Sequence, residues 1–102
     1  MNTLDDIRRH LSAGEFEFSR HAFKRAVERN IRDTEICQAG REAKPIEDYP
    51  DDKYAPSVLL LGFTEAGRPL HIQVAYVDSD LLKIITLYEP DPAEWYDYSR
   101  RR

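Results

Sequence analysis

From Ser57 to Tyr88 the chain passes through three strand-length apolar segments with only short turn sequences between them, and this succession constrains the fold most. Ser57–Phe63 (SVLLLGF) is almost continuously apolar, the mark of a central strand buried on both faces. Glu65-Ala66-Gly67-Arg68-Pro69 follows, with a glycine available for the positive φ of a hairpin connection. Leu70–Val77 alternates: Leu70, Ile72, Val74 and Tyr76 fall on one face, His71, Gln73, Ala75 and Val77 on the other. Asp78-Ser79-Asp80 turns the chain into a last strand, Leu82–Tyr88. Glu89-Pro90-Asp91-Pro92 ends it, because proline cannot donate to a ladder. Turns this short join antiparallel neighbours, since a parallel return needs a crossover of about a dozen residues. The segment therefore predicts an antiparallel meander.

Upstream of Pro45 the period is helical. Leu4, Ile7 and Leu11 lie on one stripe of a helix over 3–13, with Asn2 or Thr3 as cap, Asp5 and Asp6 in the first turn and Gly14 as stop. Phe16-Glu17-Phe18 can form one short strand. Ser19 caps a second helix over 20–30, on which Phe23, Ala26, Val27 and Asn30 share the expected inward face. A third helix over 33–42, capped by Arg32 or, with the better capping side chain, Asp33, turns Ile36, Ala39 and Cys37 inward. Ile46–Tyr49 reads as a short strand before the turn Asp51-Asp52-Lys53. The expected fold class is α+β: N-terminal helices packed on one face of an antiparallel sheet of about four strands. The 102 residues suit a single domain over 1–102. Ala93–Tyr98, with the only tryptophan, is expected to fold back as a lid, and Arg100–Arg102 to be mobile. The outward face of the central strands, where helices do not cover it, is the place to look for function.

Composition narrows the classes. With 41% hydrophobic residues and interspersed charges of both signs, the chain has material for a core and is not of disordered type. It has no apolar run of membrane-helix length and no secretory pattern at the N-terminus, so the expected location is cytoplasmic. One cysteine excludes an internal disulfide. The three histidines lack metal-type spacing, and neither a metal nor a cofactor is expected. The net charge is -4, yet Ser19–Arg32 holds Arg20, Lys24, Arg25, Arg29 and Arg32 against the single acid Glu28. His21, Arg25, Glu28 and Arg29 stand at i, i+4, i+7 and i+8 and share one helix face. Arginine forks match phosphate oxygens and histidine titrates near neutrality, so this face reads either as phosphate-handling or as a solvated face held by an Arg25–Glu28 or Glu28–Arg32 pair. His71, with Gln73 beside it on the polar side of its strand and Thr86 and Tyr88 on the next, is the second candidate.

A resemblance joins these pieces. The run Phe18-Ser-Arg-His21-Ala-Phe-Lys-Arg25-Ala-Val-Glu28-Arg29, the run Asp48-Tyr49-Pro50-Asp51-Asp52-Lys53-Tyr54, the strand start Arg68-Pro69-Leu70-His71 and the run Ile85-Thr86-Leu87-Tyr88-Glu89-Pro90 together resemble a small bacterial family of unknown function related to RelE- and BrnT-like toxins of toxin–antitoxin pairs. The resemblance spans about residues 16–98. It implies a RelE-like fold, metal-independent endoribonuclease activity on mRNA, and a cognate antitoxin of zinc-finger or helix-turn-helix type as partner. Carried over, His21, Arg25, His71 and Tyr88 would be catalytic, with the two histidines as base and acid, and Arg29, Lys24 and Thr86 would bind substrate. RelE-like ribonucleases are strongly basic and this chain is acidic. A non-catalytic protein-interaction module, or an RNA-binding protein without cleavage, is therefore the alternative. The nuclease reading requires the second helix and His71 to open onto one hollow.

Overall fold

Each helix starts where its capping chemistry places it. In the computed structural model, which describes residues 3–53, 55–75 and 80–102, helix α1 covers Leu4–Ala13. The Thr3 side chain accepts from the Asp6 amide and the Asp6 carboxylate accepts from the Thr3 amide, a reciprocal capping box. Gly14 ends the helix at φ 76°. Strand β1 is Phe16–Phe18 and helix α2 is Arg20–Glu28. The Ser19 hydroxyl accepts from the Ala22 amide at 3.0 Å and donates to the Ile85 carbonyl at 2.8 Å, so one side chain both caps α2 and ties it to the sheet. Helix α3, Asp33–Gly40, is not capped by the Asp33 side chain as expected. Arg32 is the cap residue, and its amide is satisfied by the Glu35 carboxylate at 3.0 Å.

Strands β2 (Lys44–Tyr49), β3 (Ser57–Phe63), β4 (Pro69–Ala75) and β5 (Leu82–Tyr88) follow, and a short hairpin, β6 (Trp95–Tyr96) with β7 (Arg100–Arg101), closes the chain. The expected meander is present: β2 through β5 pair antiparallel in sequence order. The sheet as a whole is mixed, not purely antiparallel, and has five strands, not about four. β1 adds parallel to β5, with Phe18 opposite Ile84, giving the order β1-β5-β4-β3-β2. The helices between β1 and β5 supply the crossover that a parallel pair needs. The expected end of the fourth strand at Tyr76 and Val77, the turn residues Asp78 and Ser79, Tyr54 and the candidate cap Asn2 lie outside the described residues.

All three helices cover one face of the sheet. Ile7, Leu11, Ala22, Ala26, Ile31, Ile36 and Ala39 pack on Val58, Leu60, Leu70, Ile72, Val74, Ile84 and Leu87 in one core. The inward face of α2 departs from expectation. Ala22 and Ala26 are buried, whereas Phe23 and Val27 stand in solvent. Two small residues let the helix lie close on β5, and a bulky inward stripe would hold it away. The tail expected to be mobile is folded as well. Arg100 and Arg101 pair with Tyr96 and Trp95, and the Arg102 guanidinium donates to the Pro92 carbonyl at 2.7 Å.

Candidate functional site on the helix-free face

The alternation of β3 and β4 sends every second side chain away from the helices. Register then sets them side by side: Leu61 against His71, Leu59 against Gln73 and Glu47, His71 against Tyr88, and Gln73 against Thr86. A bulge at Ile85 keeps Leu82, Ile84 and Leu87 in the core while Thr86 and Tyr88 face outward. The β6–β7 hairpin lies over this face. The Trp95 ring stands edge-on to the His71 ring at 4.5 Å between centroids, and the Arg101 guanidinium lies over the Trp95 ring, 4.6 Å from its centroid.

His71 is fully buried, and both its nitrogens are satisfied. Nε2 lies 2.6 Å from the Tyr98 carbonyl oxygen, and Nδ1 lies 3.2 Å from the Tyr88 hydroxyl. A carbonyl can only accept, so Nε2 carries the proton and Nδ1 accepts from Tyr88. Burial holds the His71 pKa below the ordinary 6.5, against the Tyr98 hydrogen bond and the Glu47 charge, which both favour the imidazolium. Burial likewise raises the Tyr88 hydroxyl. Beside this pair, Arg101 clasps the Glu47 carboxylate with two hydrogen bonds, 2.8 Å and 3.1 Å, and the Tyr49 hydroxyl donates to the same carboxylate. The Arg101 hydrogen bond keeps Glu47 below the usual carboxylate range. The next side chain along β4, Gln73, donates to Asp52 at 3.1 Å and to Ser57 at 2.9 Å, which anchors the loop after β2.

A stability prediction arises from His71. Its folded pKa lies below the unfolded value of about 6.5, so the unfolded state binds the proton first as pH falls. The stabilisation is complete above that pH and is lost as pH drops through the folded value. The melting temperature is expected to decline between about pH 7 and pH 5.5, and His71→Gln to flatten that decline. A wild-type melting temperature that is level or rising over this interval contradicts the assignment. Glu47 acts in a separate window, below its ordinary value of 4.5.

The structure brings His71, Tyr88 and Thr86 together and leaves the other predicted site residues elsewhere. His21 and Lys24 are exposed on α2, Arg29 is exposed just past its end, and Arg25 pairs with Glu28 at 3.2 Å. α2 packs on the helix-covered face, so the sheet separates His21 from His71, and the expected acid–base pair of histidines does not converge. The expected nuclease scheme, which needed α2 and His71 to share one hollow, fails in that form; cleavage chemistry would have to rest on the helix-free face alone. The Arg68-Pro69-Leu70-His71 motif divides in the same way. Arg68 is a clamp, donating to the Glu35 carboxylate and to the Arg29 and Asn30 carbonyls, while His71 belongs to the opposite face. Three members of the site were not singled out from the sequence. Glu47 and Tyr49 read as part of a short strand, and Arg101 as a mobile tail. The Asp48–Tyr54 run was a signal for Tyr49 and begins one residue after Glu47, but nothing local marks Arg101, 54 positions from its partner. Among the described residues no three His, Cys, Asp or Glu side chains gather as a metal-ligand set. No helix among them is long and apolar enough to cross a membrane.

A family model described as domain of unknown function (DUF4258) matches residues 18–89. The match contains Glu47, Tyr49, His71, Gln73, Thr86 and Tyr88 and stops before the hairpin that carries Trp95, Tyr98 and Arg101. No curated protein and no solved structure gave a match.

Proposed function

The chain belongs to the DUF4258 family, and from that premise we propose that it is a metal-independent RNA-cleaving domain whose site is the helix-free sheet face. The observation that carries this reading is the meeting of a histidine–tyrosine pair with an arginine–carboxylate pair on one face. The resemblance to RelE- and BrnT-like proteins supports a RelE-like fold and the role of toxin beside a zinc-finger or helix-turn-helix antitoxin.

Cleavage within RNA needs no metal-bound nucleophile, because the 2′-hydroxyl is already held next to the phosphate. The half-buried Tyr88 hydroxyl directs its proton to His71 Nδ1, so its oxygen lone pairs face outward. The 2′-hydroxyl proton passes to Tyr88 Oη as the Tyr88 proton passes to His71 Nδ1. O2′ then bonds to phosphorus, the P–O5′ bond breaks, and the same relay returns one proton to O5′. A 2′,3′-cyclic phosphate and a 5′-hydroxyl result. The exposed Arg101 fork suits the phosphate oxygens. An incoming phosphate competes with Glu47 for it, and the carboxylate so released offsets the positive charge that His71 acquires. Thr86 lies on the same face, next to the pair.

The test is RNA incubated with purified protein in chelator, with end-group analysis of the products. Cyclic-phosphate ends are expected from the wild type. Tyr88→Phe and Arg101→Ala should each slow cutting by about 100-fold or more. His21→Ala and Arg25→Ala should stay close to the wild-type rate. Intact RNA, or wild-type cutting by Tyr88→Phe, overturns the proposal.

A further inference from the structure

Helix α2 turns its two bulkiest apolar side chains outward: Phe23 is 60% exposed and Val27 66%. They stand at i and i+4 and so form one ridge. Arg20 and Lys24, also at i and i+4, form the ridge beside it, and both are exposed. Phe23 also meets Phe18 edge-on at 6.2 Å, and Phe18 meets Phe16 at 5.6 Å, so the apolar ridge continues onto the outer strand of the sheet. We propose that this ridge and its cationic flank form a docking surface for an amphipathic helix of an acidic partner protein, with apolar anchors over Phe23 and Val27 and carboxylates against Arg20 and Lys24.

Charge complementarity selects the occupant. Residues 20–32 carry five cationic side chains against Glu28, in a chain whose net charge is -4, so the field at α2 is opposite in sign to that of the whole. Among the described residues no ion pair engages Arg20, Lys24, Arg29 or Arg32, and the only acid of the segment is held by Arg25. A second copy would bring α2 against its own cations. RNA would use the cations but leave the aliphatic Val27 ridge without a counterpart. Strand addition at the edge is limited by the three residues of β1, which leaves helix-on-helix packing as the mode with enough surface. The inference is independent of the cleavage reading.

The test is a backbone-amide NMR titration of the full chain. The probes are a synthetic amphipathic helical peptide with leucine anchors and glutamate flanks, the same peptide with lysine flanks, and a single-stranded RNA oligonucleotide. Saturable shifts are expected along Arg20–Glu28 with the acidic peptide alone. Binding should weaken by about tenfold in the double variant Phe23→Ser, Val27→Ser and fall with added salt. Because both side chains are exposed, that variant should fold and should cut RNA as the wild type does. Lys24→Glu should weaken the glutamate peptide and improve the lysine peptide. The absence of saturable shifts, shifts mapping elsewhere, larger shifts at α2 with the RNA, or self-association of the free chain through Phe23 and Val27 would each overturn the proposal.

Discussion

Replacing Trp95 with alanine is expected to strip the cover from the helix-free face and to expose His71. Trp95 is 4% exposed, packs edge-on against His71 and carries the Arg101 guanidinium over its ring. Truncating a buried tryptophan typically costs about 3–5 kcal/mol. The lower end applies here, because β6 and β7 contribute two residues each and can detach while the five-stranded sheet persists. The central effect is local. Without the hairpin, His71 Nε2 loses the Tyr98 carbonyl and gains water, so its pKa should rise towards the ordinary value as burial is relieved. Acylation of histidines by diethyl pyrocarbonate reads this directly. In the wild type His71 should be protected while exposed His21 reacts, and in Trp95→Ala both should react. Equal protection of His71 in the two proteins would show that the hairpin is not its cover.

Gly62→Ala is expected to be strongly destabilising although it adds a single methyl group. Gly62 lies in β3 where α3 crosses it, and a Cβ added there would stand 2.1 Å from the Ala39 carbonyl oxygen. The obstacle is helix backbone, so no side-chain rotation relieves it, and α3 must lift from the sheet. Overpacking of this kind costs about 3 kcal/mol or more, against a total stability of about 5–15 kcal/mol for a domain. For a chain this size the melting temperature should fall by about 10–20 °C. Gly67→Ala is the control. Its φ is +86° but nothing lies within 4 Å of the added carbon, so only the left-handed backbone cost of about 1 kcal/mol applies. Near-equal losses in the two variants would contradict the close approach of α3 to β3.

Much of this architecture was legible locally. The capping position of Thr3, the stop at Gly14, the cap at Ser19 and the strands Ser57–Phe63 and Leu82–Tyr88 follow from neighbouring residues alone. What failed depends on distance. β1 pairs with β5 across more than sixty positions, and no local period records that pairing or its parallel sense. The inward face of α2 was misread because hydrophobicity nominated Phe23 and Val27, whereas closeness to β5 required Ala22 and Ala26. Two small residues on a helix are a packing signal that a bulk-weighted stripe hides. For the site, strand alternation correctly placed His71 and Gln73 away from the core. For Thr86 and Tyr88 alternation alone pointed the wrong way, onto the face of Leu82 and Ile84, and only the bulge at Ile85 turns them outward. Nor could it say that the arginine tail returns to Glu47 or that α2 sits behind the sheet, because register and chain return set those positions.

The central claim is that the chemistry resides in the Tyr88–His71 pair and its arginine–carboxylate neighbour rather than on the cationic helix. The cutting rate of Tyr88→Phe set against that of His21→Ala tests it most directly. The account predicts that loss of one phenolic oxygen nearly abolishes cyclic-phosphate product while loss of the exposed imidazole leaves it intact. The reverse ranking would return the site to α2 and contradict the account.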